Sequence, residues 1–202
     1  ADYEAIVEEF KHDDQQAAIE IAPATKKQPA STEAPEIDED AFLDAWSNLK
    51  DTHDFYPLLR KFKVERTKAL EIGEKKFTER VDNSTTEKML HKAAESNVSI
   101  MVFVSSGAVI QIHTGEVENI KKMDTWLNVL DSEFNLHLRE DHIAKTWIVK
   151  KPTEDGIVTS IEIFDAENNN IATFFGARKP GIPELESWRE LVNDLSDAQV
   201  SA

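Results

Sequence analysis

The sequence predicts an α+β fold, a large and mostly antiparallel twisted sheet flanked by helices. Three observations carry this. Apolar residues recur at helical spacing up to about residue 96. From residue 99 onward, short alternating runs separated by turn residues replace them. A last helical stretch then closes the chain. Helices, then consecutive hairpin-linked strands, then a helix is the order of an α+β domain rather than of alternating βαβ units.

Residues 2–10 place Tyr3, Ile6, Val7 and Phe10 at helical spacing and read as the end of a helix. A polar stretch follows to about residue 40, with Pro23, Pro29 and Pro35 and the acidic run Glu36-Ile37-Asp38-Glu39-Asp40; little fixed structure is expected there. The core begins near Asp40. Phe42, Leu43, Trp46 and Leu49 form one helical stripe, and a second helix from Thr52 carries Phe55, Leu58, Leu59 and Phe62. A short third helix spans 67–72 and stops before Gly73. Ser84 and Glu87 have the spacing of a capping box, which predicts a helix to about Ser96. Residues 99–104 and 108–113 flank Ser105-Ser106-Gly107 as a hairpin. Strands are expected at 126–130, 134–138, 145–150, 157–164 and 171–175, and a closing helix at 183–195 with Pro183 in its first turn.

Composition narrows the function. The chain has 202 residues, 40% hydrophobic and 31% charged, enough for one sizeable domain or two small ones. Its apolar stretches, such as 100–104, are too short to span a bilayer, so no stable membrane insertion is expected. The first residues lack the basic region and apolar core of a signal peptide. With no cysteine, disulfides, thiolate metal sites and covalent haem attachment are excluded, and a cytoplasmic location is expected. With 39 acids against 23 bases the net charge is −16, which repels phosphate backbones and argues against nucleic-acid binding. Only 6 glycines are present, and no P-loop, dinucleotide glycine pattern or G-x-S-x-G occurs.

One run stands out: Asp51-Thr52-His53-Asp54-Phe55-Tyr56-Pro57-Leu58-Leu59-Arg60-Lys61-Phe62. It sets a histidine at a helix start beside two aromatics. Further on come Ile100-Met101-Val102-Phe103-Val104, Trp147-Ile148-Val149-Lys150-Lys151-Pro152, Val158-Thr159-Ser160-Ile161-Glu162 and Phe175-Gly176-Ala177-Arg178. In this order the segments resemble the haem-utilisation, haemin-degrading HemS/ChuS-like family (HmuS and PhuS among its members), over residues 40–196. Proteins of that family carry two homologous halves, each a large antiparallel sheet with flanking helices. The chain resembles the second half. On that reading residues 1–22 are the tail of a preceding repeat, 23–39 a flexible linker and 40–198 a HemS/ChuS-like haem-binding domain. An internal echo agrees with it: the pattern of Tyr3, Ile6, Val7 and Phe10 recurs at Trp188, Leu191, Val192 and Leu195.

The resemblance implies haem (haem b or haemin) as ligand, with His53 on the iron. A neutral imidazole nitrogen suits ferric iron, with Asp51 or Asp54 as the acceptor that orients the ring. It maps propionate and ring-edge contacts onto Arg66, Lys151 and Arg178, and a wall aromatic onto Phe103. The haem-contacting positions at Thr173 and Phe175 often hold glutamine and tyrosine in the family, so a polar contact is missing here. The arginine that faces the iron from the other side belongs to the first half, which this sequence does not include.

The remaining histidines are weaker candidates. His113 and His137 lie on expected strands, and His137 with His142 has a plausible metal spacing, but satisfied strand histidines are the ordinary account. Three functions follow from the resemblance: a haem carrier in haem uptake and iron acquisition, a haem-degrading enzyme of the haem oxygenase type, and a structural or regulatory module without haem. Expected partners are haem, a haem importer or a haem-degrading enzyme. An exposed face between halves would also suit a homodimer of the half-repeat.

Overall fold

A computed structural model describes residues 2–15, 37–74, 76–179 and 181–200, the side chains of 197–200 excepted. It divides into two units, residues 1–35 and 36–202. The first holds α1 (Asp2–Phe10), the helix expected from its spacing. Most of the expected linker, residues 23–39, lies outside the described residues.

The second unit begins with three short helices, α2 (Glu39–Ser47), α3 (Phe55–Phe62) and α4 (Arg66–Ile72). Asp38 starts α2 by accepting the Ala41 N–H at 2.9 Å. A 3-10 turn, Thr52–Asp54, leads into α3, where Pro57 sits in the first turn and costs no hydrogen bond. Then come β1 (Thr78–Val81), α5 (Thr85–Glu95), β2 (Ile100–Ser105), β3 (Ile110–Gly115), β4 (Ile120–Met123), β5 (Trp126–Leu130), β6 (Asn135–Arg139), β7 (Lys145–Thr153), β8 (Gly156–Phe164), β9 (Asn170–Gly176) and α6 (Glu186–Val200). The large sheet has six strands in the order β1-β7-β8-β9-β2-β3, and β4-β5-β6 form a second one. Every strand pair is antiparallel. The α+β class and antiparallel sheet expected from the sequence are therefore found.

Some local expectations are corrected. Ser84 makes no side-chain cap to α5, because its backbone N–H and its hydroxyl both donate to Asp82. Glu87 instead pairs with Lys122 at 2.7 Å. Pro183 precedes α6, which starts at Glu186. Strands β1 and β4 were not expected, since Thr-Glu-Arg-Val and Ile-Lys-Lys-Met lack a clean apolar alternation.

The large sheet is covered unequally. Ile100, Val102, Ile148, Ile161, Ile163 and Phe174 point to one face and pack with α5, α6 and the second sheet. On the other face Trp147, Val149 and Phe164 meet Phe42, Trp46, Phe55, Leu58 and Leu70 from α2 to α4. These helices lie over the β1, β7 and β8 side. The β9, β2 and β3 side carries exposed Ile110 and Ile112.

Helix α6 seats very closely on the sheet. A Cβ on Gly176 would lie 2.6 Å from both Cβ and Cγ of Trp188, which is fully buried and donates its indole N–H to the Thr159 carbonyl at 3.0 Å. Gly176→Ala is expected to cost about 1–3 kcal/mol through overpacking. The urea midpoint measures it; an unchanged midpoint would mean that Trp188 yields without loss.

Candidate functional site

The half-open face of the large sheet forms a cleft of about 470 Å³. Its apolar walls are Met101, Phe103, Ile110, Val158 and Phe175, and the Phe103 and Phe175 rings meet edge to face at 5.4 Å. His53 and Arg66 line it from the helical side, Lys151 from β7, Thr173 from β9, and Arg178 from the segment after β9. Each residue that the resemblance sets against the ligand, from His53 to Arg178, thus lines the same cleft, although these two are 125 positions apart.

Local backbone chemistry presents His53. Asp51 and Asp54 form a reciprocal capping box on the 3-10 turn: Asp51 accepts the His53 N–H at 2.8 Å, and Asp54 accepts the Asp51 N–H at 3.0 Å. The Asp51 carboxylate also contacts His53 Nδ1. A carboxylate only accepts, so Nδ1 is the donor, and in the neutral ring the lone pair then lies on Nε2. The His53 N–H bond, together with the imidazole beside it, holds Asp51 below its ordinary carboxylate value. Of the alternatives Asp51 and Asp54, Asp51 is the one that orients the ring. The side chain is 88% exposed, so Nε2 is open to a ligand.

Arg66 and Lys151 meet at a residue that sequence reasoning quoted but gave no role. Glu162, with no exposed surface, accepts Arg66 Nε at 2.7 Å and Nη2 at 2.8 Å, Lys151 Nζ at 2.9 Å and the Ser160 hydroxyl at 3.1 Å. Burial opposes the Glu162 charge, but the two cations overcome it and hold the carboxyl well below the usual carboxylate range. Burial likewise works against Arg66, yet Glu162 outweighs it and the guanidinium sits above its ordinary value. For Lys151, 3% exposed, burial wins and pushes the ammonium down despite Glu162. The Lys151 ammonium also lies 4.9 Å from the Phe55 ring centre. The signal for Glu162 is a lone charged residue, between Ile161 and Ile163, in an otherwise uncharged strand.

Arg178 is paired too. Its Nη2 donates to Asp155 at 2.9 Å and its Nε to the Ile182 carbonyl at 3.3 Å, which ties the segment after β9 to the β7-β8 turn. None of the three bases is a solvated surface cation. Thr173 donates its hydroxyl to Asn170 at 3.3 Å, and Phe175 supplies an aromatic wall.

The two strand histidines differ: His137 contacts Asn128 at 2.7 Å, whereas His113 stacks on Phe134 with ring centres 3.8 Å apart and its buried Nε2 has no hydrogen-bond partner among the described residues. Among the described residues no group of three or more His, Cys, Asp or Glu side chains is placed to hold a metal ion. Among them, too, no helix is long and apolar enough to cross a membrane.

The family model of the haemin-degrading HemS/ChuX domain matches residues 63–195. The chain belongs to the HemS/ChuX family. The hemin transport protein HmuS of Yersinia pestis is 37% identical over 183 residues, which is 89% of this chain and 53% of HmuS. Holo-PhuS, a heme-binding protein from Pseudomonas aeruginosa, superposes with a TM-score of 0.87 at 46% identity, covering 96% of this chain and 56% of PhuS. ChuS, an E. coli heme oxygenase, superposes with a TM-score of 0.81 at 30% identity over the same shares. The chain therefore spans about half the length of these HemS/ChuX relatives.

Proposed function

We propose that this chain is a cytoplasmic haem-binding module of haem uptake and iron acquisition, formed by residues 40–198, with His53 Nε2 as the iron ligand. One observation carries the reading: an imidazole with its free nitrogen exposed shares an apolar cleft with Arg66, Lys151 and Arg178. The cleft volume lies in the range of cofactor sites, and its residues match the three chemical parts of haem. Phe103 and Phe175 face an apolar ring, His53 offers a neutral nitrogen donor, and the cations suit propionates. The names of HmuS and PhuS support the same ligand. In this reading the partners are haem itself and the importer or degrading enzyme with which it is exchanged.

A haemin titration followed by Soret absorbance tests this. The chain is expected to bind one haemin saturably. His53→Ala is expected to shift the Soret band and to weaken binding by at least the roughly 10–100-fold that loss of an outer-shell partner costs a metal site. Tight binding with an unchanged spectrum would refute His53 as ligand, and no saturable binding by the chain would refute the module.

The likeness to ChuS, a heme oxygenase, favours a second reading in which bound haem is degraded. Haem would supply the redox chemistry; the chain would hold it through His53, the cations and the aromatic walls. Incubation of the haem-loaded chain with a reductant in the presence of dioxygen, the oxidant that ring opening requires, separates the two. A released open tetrapyrrole and free iron mean degradation, and intact haem means transport.

A further inference from the structure

A carboxylate beneath a cleft meant for an anionic ligand is the least expected feature of the site. Glu162 lies opposite Thr173 in the β8-β9 register, and Thr173 lines the cleft. Arg66 and Lys151 line the same cleft and reach past that lining to the buried carboxylate. Stability alone is a poor reason for the arrangement. A buried ion cluster gains little over apolar side chains of similar volume, because desolvation cancels most of the attraction. What the cluster does provide is a fixed amount of charge at a fixed place.

Two cations face one carboxylate, so the cluster presents a single net positive charge to the cleft. Arg178 adds none, since Asp155 balances it. We propose that Glu162 is a charge-setting residue of the cleft: it caps the positive charge that a ligand carboxylate meets at Arg66 and Lys151, and so sets how strongly acidic ligands are preferred over neutral ones of the same shape. The inference rests on the haem reading of the cleft.

The mechanism is electrostatic competition. Glu162 already takes both Arg66 donors that point at it and one of the three on Lys151. A ligand carboxylate shares the remaining donors and is repelled by Glu162 through a poorly screening interior. With a neutral amide at position 162, the ligand becomes the counter-charge of both cations.

The test compares haemin with haemin dimethyl ester, which has the same ring and iron but no propionate charge. In Glu162→Gln the preference for haemin over the diester is expected to widen about a hundredfold, the effect of removing one charge roughly 6 Å away at an effective dielectric constant near 20. A merely structural role would weaken both ligands alike and leave the ratio unmoved. An unchanged or narrowed ratio overturns the proposal. Should Glu162→Gln not fold, the pair Lys151→Met with Glu162→Gln decides instead. It leaves Arg66 as the sole charge of the cluster, so the net charge matches the unmutated chain. Lys151→Met alone leaves the cluster without net charge and should lose most of the preference; recovery in the pair to within about threefold of the original ratio supports the proposal, and no loss in Lys151→Met or no recovery in the pair overturns it. Absence of saturable haemin binding by the unmutated chain would overturn the haem reading and this inference with it. Binding with an unmoved ratio would overturn only the inference.

Discussion

Glu162→Ala is expected to cost about 3–5 kcal/mol of folding stability at neutral pH. The removed carboxylate is the shared partner of Arg66 and Lys151, and nothing else in the cluster can balance them. Lys151 is 3% exposed, so water cannot take over. Urea denaturation at pH 7 gives the loss directly, and a loss below about 1 kcal/mol would show that the cluster relaxes or hydrates. The pH dependence has a definite sign. The folded-state carboxyl titrates well below its ordinary value of 4.5. Its stabilisation is therefore fully present above that ordinary value and is lost as pH falls through the lower folded one. The gap between the unmutated chain and the variant should stay constant from pH 7 down to about 5 and close in stronger acid. A gap that closes already near neutrality would contradict a depressed Glu162.

Trp46→Ala is expected to cost about 3–5 kcal/mol and to loosen the segment that carries His53. Trp46 is fully buried at the centre of the helical layer. Its ring stacks on Phe77 with centres 5.0 Å apart, meets Phe55 at 4.5 Å and Phe42 at 5.8 Å, and its indole N–H donates to the Lys150 carbonyl at 3.2 Å. Gly73 lets the ring in: a Cβ there would sit 2.9 Å from Trp46 Cζ3. Phe55 directly follows the 3-10 turn of His53. Loss of Trp46 removes the surface on which that turn is seated. The thermal midpoint should fall, and hydrogen exchange at 51–55 should speed up more than exchange in β8. Uniform acceleration would mean that the whole unit, not the helical layer, depends on Trp46.

Much of the fold could be read from the chain because the relevant physics is local. The bounds expected for Trp126–Leu130 match the strand found, since it is a short, largely apolar run bounded by turn residues. Thr78–Val81 escaped because an edge strand with Glu79 and Arg80 in it has no apolar period to detect. Ser84 was misread for a related reason. Its spacing to Glu87 suits a capping box, but Asp82, two residues upstream, captured its hydroxyl first.

The site divides along the same line. Residue types and their order, carried by resemblance, pointed to His53, Arg66, Phe103, Lys151, Thr173, Phe175 and Arg178, and the reciprocal Asp51 and Asp54 cap is itself a local pattern. By itself the sequence determined the α+β class, the helix-then-strand order and the chemical types available to a ligand, because these depend on neighbours a few residues apart. Tertiary structure alone decided that these residues share one cleft, that Asp51 rather than Asp54 holds the imidazole, and that Glu162 joins two cations contributed by α4 and β7. Arg66 and Glu162 are 96 positions apart. Which distant charges share a desolvated space follows from strand register and helix packing, and no local preference encodes that.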